Sequence, residues 1–131
     1  MTAPRIMLTI ATVPDADEAI RTARQFAAAL GFGTVPSYQI ATAAAELVRN
    51  LLEHASGGTL EIAEMDPPAG LRLVASDNGP GIADIALAMN DGYSSKDSLG
   101  SGLPAVSRLM DQMGVENKVG KGVIVWACKW L

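Results

Sequence analysis

Apolar and polar positions follow two periods along this chain, and the switches between them mark its elements. At residues 5–10, Ile6, Leu8 and Ile10 share one parity, which predicts a strand. Pro14 and Asp15 then open a helix predicted to run to Leu30, with Ala19, Ile20, Ala23, Phe26, Ala27 and Leu30 as its buried stripe. Gly31 and Gly33 end it, and Pro36 starts a second helix with Ser37 as the candidate N-cap. In that helix Ile40, Ala41, Ala44, Leu47, Val48, Leu51, Leu52 and Ala55 fill one side. After Gly57 and Gly58 the period returns to two, with Leu60 and Ile62 inward. The turn residues 66–70 predict a hairpin into a strand at 71–77. A short helix is expected at 83–89. Residues 90–102, rich in glycine and serine, fit neither period and read as a mobile lid. A helix is predicted at 103–113, and strands at 115–119 and 123–130.

The predicted order is β-α-α-β-β-α-α-β-β. Each helix has one apolar stripe and the strands alternate, so the expected class is α+β: a two-layer sandwich of a largely antiparallel sheet with helices on one face. No linker or repeat divides residues 1–131, which are expected to form one domain.

Composition narrows the function. Hydrophobic residues make up 49% of the chain and charged ones 18%, a globular balance. The net charge of −4 disfavours nucleic acid as a partner, because phosphate contacts need a basic surface. No apolar run is long enough to span a membrane, and residues 1–10 lack a signal-peptide pattern, so a cytoplasmic location is expected. The single cysteine, Cys128, has no partner for an internal disulfide and fits a packing role. With one histidine and one cysteine the usual zinc sets are excluded, and any metal would be a hard ion held by oxygen.

Three stretches carry chemistry. On the second helix Thr42, Glu46, Arg49, Asn50, Glu53 and His54 fall within roughly a 140° sector. Glu46, Asn50 and His54 lie on successive turns of that face. Alone, it fits a solvated surface as well as the floor of a metal–phosphate site. Asp77 ends a row of apolar residues, Leu71, Leu73 and Ala75, and needs a donor there. The exocyclic amine of a purine would serve, and so would local backbone amides in an Asp-Asn-Gly turn. Gly79 and Gly81 follow, stiffened by Pro80. Gly100 and Gly102 stand before a helix, where free N–H groups and the helix dipole could cradle phosphates. Either glycine pair alone also fits an ordinary loop.

Taken together and in this order, E-x-x-x-N-x-x-x-H on a helix, D-x-G-x-G after a strand and G-x-G-L entering a helix resemble the N box and two glycine boxes of the Bergerat-fold ATP-binding superfamily, which includes histidine kinases, gyrase and anti-sigma-factor serine kinases. Within it the chain looks most like the small RsbT-type switch serine kinases. The likeness spans nearly the whole length. It includes Leu30-Gly31-Phe32-Gly33-Thr34, Asp91-Gly92-Tyr93-Ser94-Ser95, Gly102-Leu103-Pro104-Ala105-Val106, Arg108-Leu109-Met110-Asp111 and the ending Lys129-Trp130-Leu131.

The resemblance implies an ATP- and Mg²⁺-dependent protein serine/threonine kinase. Asn50 would bind Mg²⁺, Glu46 would be the general base or water-positioning group, and Asp77 would read adenine. His54, Gly79, Gly81, Lys96, Gly100, Ser101, Gly102 and Leu103 would complete the nucleotide site. Implied substrates are STAS-domain proteins of a stressosome-like, partner-switching stress response, with a downstream phosphatase or other output protein as a further partner. The competing reading is an anti-sigma factor that acts mainly by sequestering a sigma factor. A histidine-kinase catalytic domain is disfavoured because no phosphoacceptor helix precedes Arg5. One departure stands out: such kinases often place Thr after the last Gly-x-Gly, and here Val123 follows Gly120 and Gly122, so that hydroxyl is missing.

Overall fold

The computed structural model describes residues 4–54, 57–77, 99–118 and 122–131. Among them the order is β1 (Arg5–Ile10), α1 (Val13–Leu30), α2 (Thr34–His54), β2 (Gly58–Met65), β3 (Gly70–Asp77), α3 (Leu99–Leu109), β4 (Gln112–Lys118) and β5 (Gly122–Trp130). The five strands form one sheet in the order β1-β2-β3-β5-β4, with every neighbouring pair antiparallel. The expected α+β class and hairpin are present. The helix expected at 83–89 and the greater part of the lid expected at 90–102 lie outside the described residues.

The capping chemistry of α1 explains its boundaries. The Thr12 hydroxyl accepts from the Asp15 N–H, and the Asp15 carboxylate accepts from the N–H groups of Ala11 and Thr12, a reciprocal capping box. At the other end Gly31 takes φ +108°, a left-handed conformation that glycine adopts without a Cβ clash. The bond from Ala11, then those involving Thr12, hold the Asp15 carboxyl below its ordinary value of 3.8. The sign follows directly. The capping contribution is complete above the unfolded carboxylate range and is lost as pH falls through the depressed folded value. Asp15→Asn should therefore flatten the acid limb of a pH–stability curve below about pH 4, leaving the neutral limb parallel to wild type. Thermal melts from pH 2 to 7 check this, and an unchanged acid limb would refute it.

The core lies between the helices and one face of the sheet. Ile10, Ile40, Leu47, Leu60, Ile62, Leu71, Leu73 and Leu103 are all 0–1% exposed. Burying each such side chain contributes roughly 1.5–3 kcal/mol. The stripe on α1 is Ala16, Ala19, Ala23 and Ala27, with Ile20, Phe26 and Leu30 packed at its margins. On the opposite sheet face Glu61 is buried but answered by Arg5 at 2.9 Å and Arg72 at 3.6 Å. Cys128 is buried and its thiol is pushed up by that burial, in keeping with a packing role.

Three local expectations are corrected. Ser37 is not an N-cap: α2 begins at Thr34, and Ser37 is buried inside it, with its hydroxyl donating to the Phe32 carbonyl at 3.3 Å. The last helix starts at Leu99 and ends at Leu109, four residues earlier at each end than its pattern predicts. Its exit is set by the sheet, because the Asp111 N–H donates to the Cys128 carbonyl and the Asp111 carboxylate accepts from the Trp130 N–H. β4 accordingly begins at Gln112 rather than at residue 115.

Candidate functional site

The second helix presents its apolar side to the core and holds its polar face toward α3. Leu47, Val48 and Leu51 are 1–4% exposed, which fixes the rotation of the helix. That rotation leaves Glu46, Arg49 and Asn50 half-buried rather than fully solvated. The end of the helix is closed by a bond from the Gly57 N–H to the Leu51 carbonyl, after which the chain enters β2.

Asn50 is the most informative of these side chains. Its Oδ1 is buried and, among the described residues, has no hydrogen-bond partner. A buried amide oxygen without a donor costs about 1–3 kcal/mol, so such an atom in a folded protein calls for a water or a ligand. Directly above it lies the first turn of α3. A methyl group on Gly102 would stand 3.1 Å from both Nδ2 and Oδ1 of Asn50 and 3.4 Å from Oε2 of Glu46. Glycine at this position lets the α3 backbone close onto the pair. Residues far apart in sequence, Glu46, Asn50 and Gly102, are thereby brought together.

The start of α3 has the polarity that phosphate needs. The first N–H groups of a helix lack intrahelical acceptors, and the helix dipole adds positive potential there. No acidic residue occupies that turn. Leu103 is 0% exposed and belongs to the core, so its side chain anchors the turn rather than facing a ligand. The backbone of Gly100 and Ser101 is in this helix.

Asp77 ends β3 as expected, with Leu71, Leu73 and Ala75 buried on its own parity. Its register partner is Gly58. A methyl there would come within 3.0 Å of the Leu51 side chain, which sets the end of β3 beside the turn of α2 that carries Asn50. Asp77 and the Asn50–Gly102 pair therefore lie at the same end of the fold. Gly79, Gly81 and Lys96 lie outside the described residues, as do the side chains of His54 and Ser101. Val123 is partly buried against the core.

Arg49 was given no role by sequence reasoning. Its guanidinium Nη2 donates to Oε2 of Glu46, and its Nε is buried without an acceptor. The i,i+3 spacing of an acid and a base on one helix was the available signal.

A hard cation fits this arrangement on the chemistry of its donor. Among the described residues no three His, Cys, Asp or Glu side chains converge to hold a metal by themselves. A single orphaned amide oxygen suits Mg²⁺, which keeps waters and takes its other ligands from phosphates. Among the described residues no helix is long and apolar enough to cross a membrane.

Residues 11–129 match the model of the histidine kinase-like ATPase domain family. A similar protein is the serine/threonine-protein kinase RsbT of Bacillus subtilis (strain 168), 44% identical over 110 residues, which covers 82% of this chain and 83% of the relative.

Proposed function

Because the chain belongs to the histidine kinase-like ATPase domain family, on the branch of the serine/threonine kinase RsbT, we propose that it transfers the γ-phosphoryl group of ATP to serine or threonine of a STAS-domain protein. In this reading it works as one cytoplasmic domain in a partner-switching stress response, with a downstream phosphatase or other output protein as its second partner. The observation that carries the nucleotide part is the buried, unpartnered Oδ1 of Asn50 beneath the glycine turn of α3.

Each residue has a task in this reading. Asn50 would hold Mg²⁺, which would supply neutralisation of phosphate charge when bound. The N–H groups at the start of α3 take phosphate oxygens, and Asp77 accepts from the adenine amine. Glu46 accepts the proton of the incoming hydroxyl. Phosphoryl transfer asks for positioning and charge neutralisation rather than covalent chemistry, so a site built from an amide, a carboxylate and backbone donors is sufficient. His54, Gly79, Gly81, Lys96 and Ser101 are assigned to the same nucleotide pocket.

Two measurements test the reading. Calorimetry should give ATP binding that requires Mg²⁺, and no binding up to millimolar ATP would end it. The protein should also capture a STAS-domain partner from its native cell and move label from γ-labelled ATP to a serine or threonine of that partner. Stoichiometric capture of a sigma factor without label transfer would favour sequestration instead.

A further inference from the structure

Arg49 and Glu46 form an ion pair across one turn of α2. Stability does not account for it. An i,i+3 pair with side chains 40% and 21% exposed contributes little to stability. Direction accounts for it better. Arg49 binds Oε2, the carboxylate oxygen that also faces Gly102, and among the described residues it is the group that holds Glu46. Arg49 also lines a largely apolar groove of about 350 Å³ between α1 and α2, with Val13, Ile20, Val48, Leu52 and Glu53 around it.

We infer that Arg49 is a positioning residue for the kinase reaction: it clamps Oε2 of Glu46 so that the carboxylate stays aimed beside Asn50 and Gly102. The inference rests on the role proposed for Glu46. A general base contributes only when held within hydrogen-bond reach of its proton, and a misplacement of about 1 Å can cost 10²-fold. Arg49 does this without touching nucleotide, so its loss should appear in turnover and not in ATP affinity.

The test compares the full chain with Arg49→Met, Arg49→Lys, Glu46→Gln and the Glu46→Gln/Arg49→Met double variant. Arg49→Met keeps an apolar stem over the groove and removes the charge. Transfer of γ-label from Mg²⁺–ATP to the captured partner protein gives kcat, calorimetry gives the Kd for Mg²⁺–ATP, and melting gives stability. Arg49→Met should lower kcat by about 10–100-fold and leave Kd within about twofold. Arg49→Lys should recover part of the loss, because an ammonium restores charge but not the planar fork. Added to Glu46→Gln, Arg49→Met should change kcat by less than about twofold, since a clamp has nothing left to hold. Multiplying losses in the double variant would mean that Arg49 meets the phosphoryl group itself, and would overturn the inference. So would a loss confined to Kd or Tm. If wild type transfers no label, or Glu46→Gln matches wild type, the proposed role of Glu46 fails and Arg49 loses its assignment with it.

Discussion

Asn50→Ala should weaken Mg²⁺-dependent ATP binding severely, whereas Glu46→Gln should keep it and lose phosphoryl transfer by about 10²–10⁴-fold. The two residues sit one turn apart on the same half-buried face of α2, so a generic disturbance of that face would affect both variants alike. Their chemistry separates them. Asn50 offers a buried oxygen with no donor among the described residues, the group a hard cation would take. Removing it should weaken Mg²⁺–ATP by more than the roughly 10–100-fold typical of outer-shell changes at metal sites. Glu46 already has Arg49 as a cationic partner and stands 3.4 Å from a methyl position on Gly102. Its amide isostere keeps the volume and removes the basicity. Neither change reaches Leu47, Val48 or Leu51 on the core side, so both variants should keep the wild-type circular dichroism. Calorimetry with and without Mg²⁺, beside a γ-label transfer assay, separates the outcomes. Equal loss of ATP binding in both variants would mean that the face acts as one binding surface and that Glu46 has no separate role.

Much of this arrangement is written in local pattern, and the exceptions have physical causes. The β2–β3 hairpin was readable because Leu60 and Ile62, then Leu71, Leu73 and Ala75, keep a period of two on either side of a proline-rich turn, and all five are buried. The rotation of α2 was readable because Leu47, Val48 and Leu51 define its core side. Motif order could place Glu46 and Asn50 in a common site with Gly102, but not the distance between them. That distance depends on α3 packing across α2, a contact between segments some 50 residues apart that no local period encodes. The start of α3 was missed for a related reason. Glycine is among the weakest helix formers, so the turn around Gly100 and Gly102 reads as loop by propensity. Tertiary contacts outweigh that preference: Leu103 is locked in the core just behind the turn. Ser37 misled because serine is favoured at N-caps, while here Thr34 already begins the helix and the serine hydroxyl is used inside.

Replacing Gly102 tests that closure most severely. Gly102→Val should lower Mg²⁺–ATP affinity by at least about 100-fold while the protein stays folded. The new Cβ would begin 3.1 Å from both polar atoms of the Asn50 amide, tighter than ordinary van der Waals contact, and two branch methyls extend the conflict. Two groups could yield. α3 could move away, but Leu103 and Val106 are both 0% exposed in the core and hold it in place. The Asn50 side chain could rotate, which takes its oxygen out of the position between the helices. The second costs less, so the site gives way before the fold does. Overpacking of this kind destabilises by roughly 1–3 kcal/mol, to be read as a modest fall in Tm. Gly102→Ala should be milder, because it adds one methyl and gains about 0.5–1 kcal/mol of helix preference. Combining Gly102→Val with Asn50→Ala isolates the cause. Truncating Asn50 removes the atoms in conflict, so the double variant should recover most of the Tm lost by Gly102→Val and none of the ATP affinity. Wild-type affinity in Gly102→Val would show that the first turn of α3 does not close over the nucleotide, and Asn50 would then be only a helix residue with an unsatisfied amide.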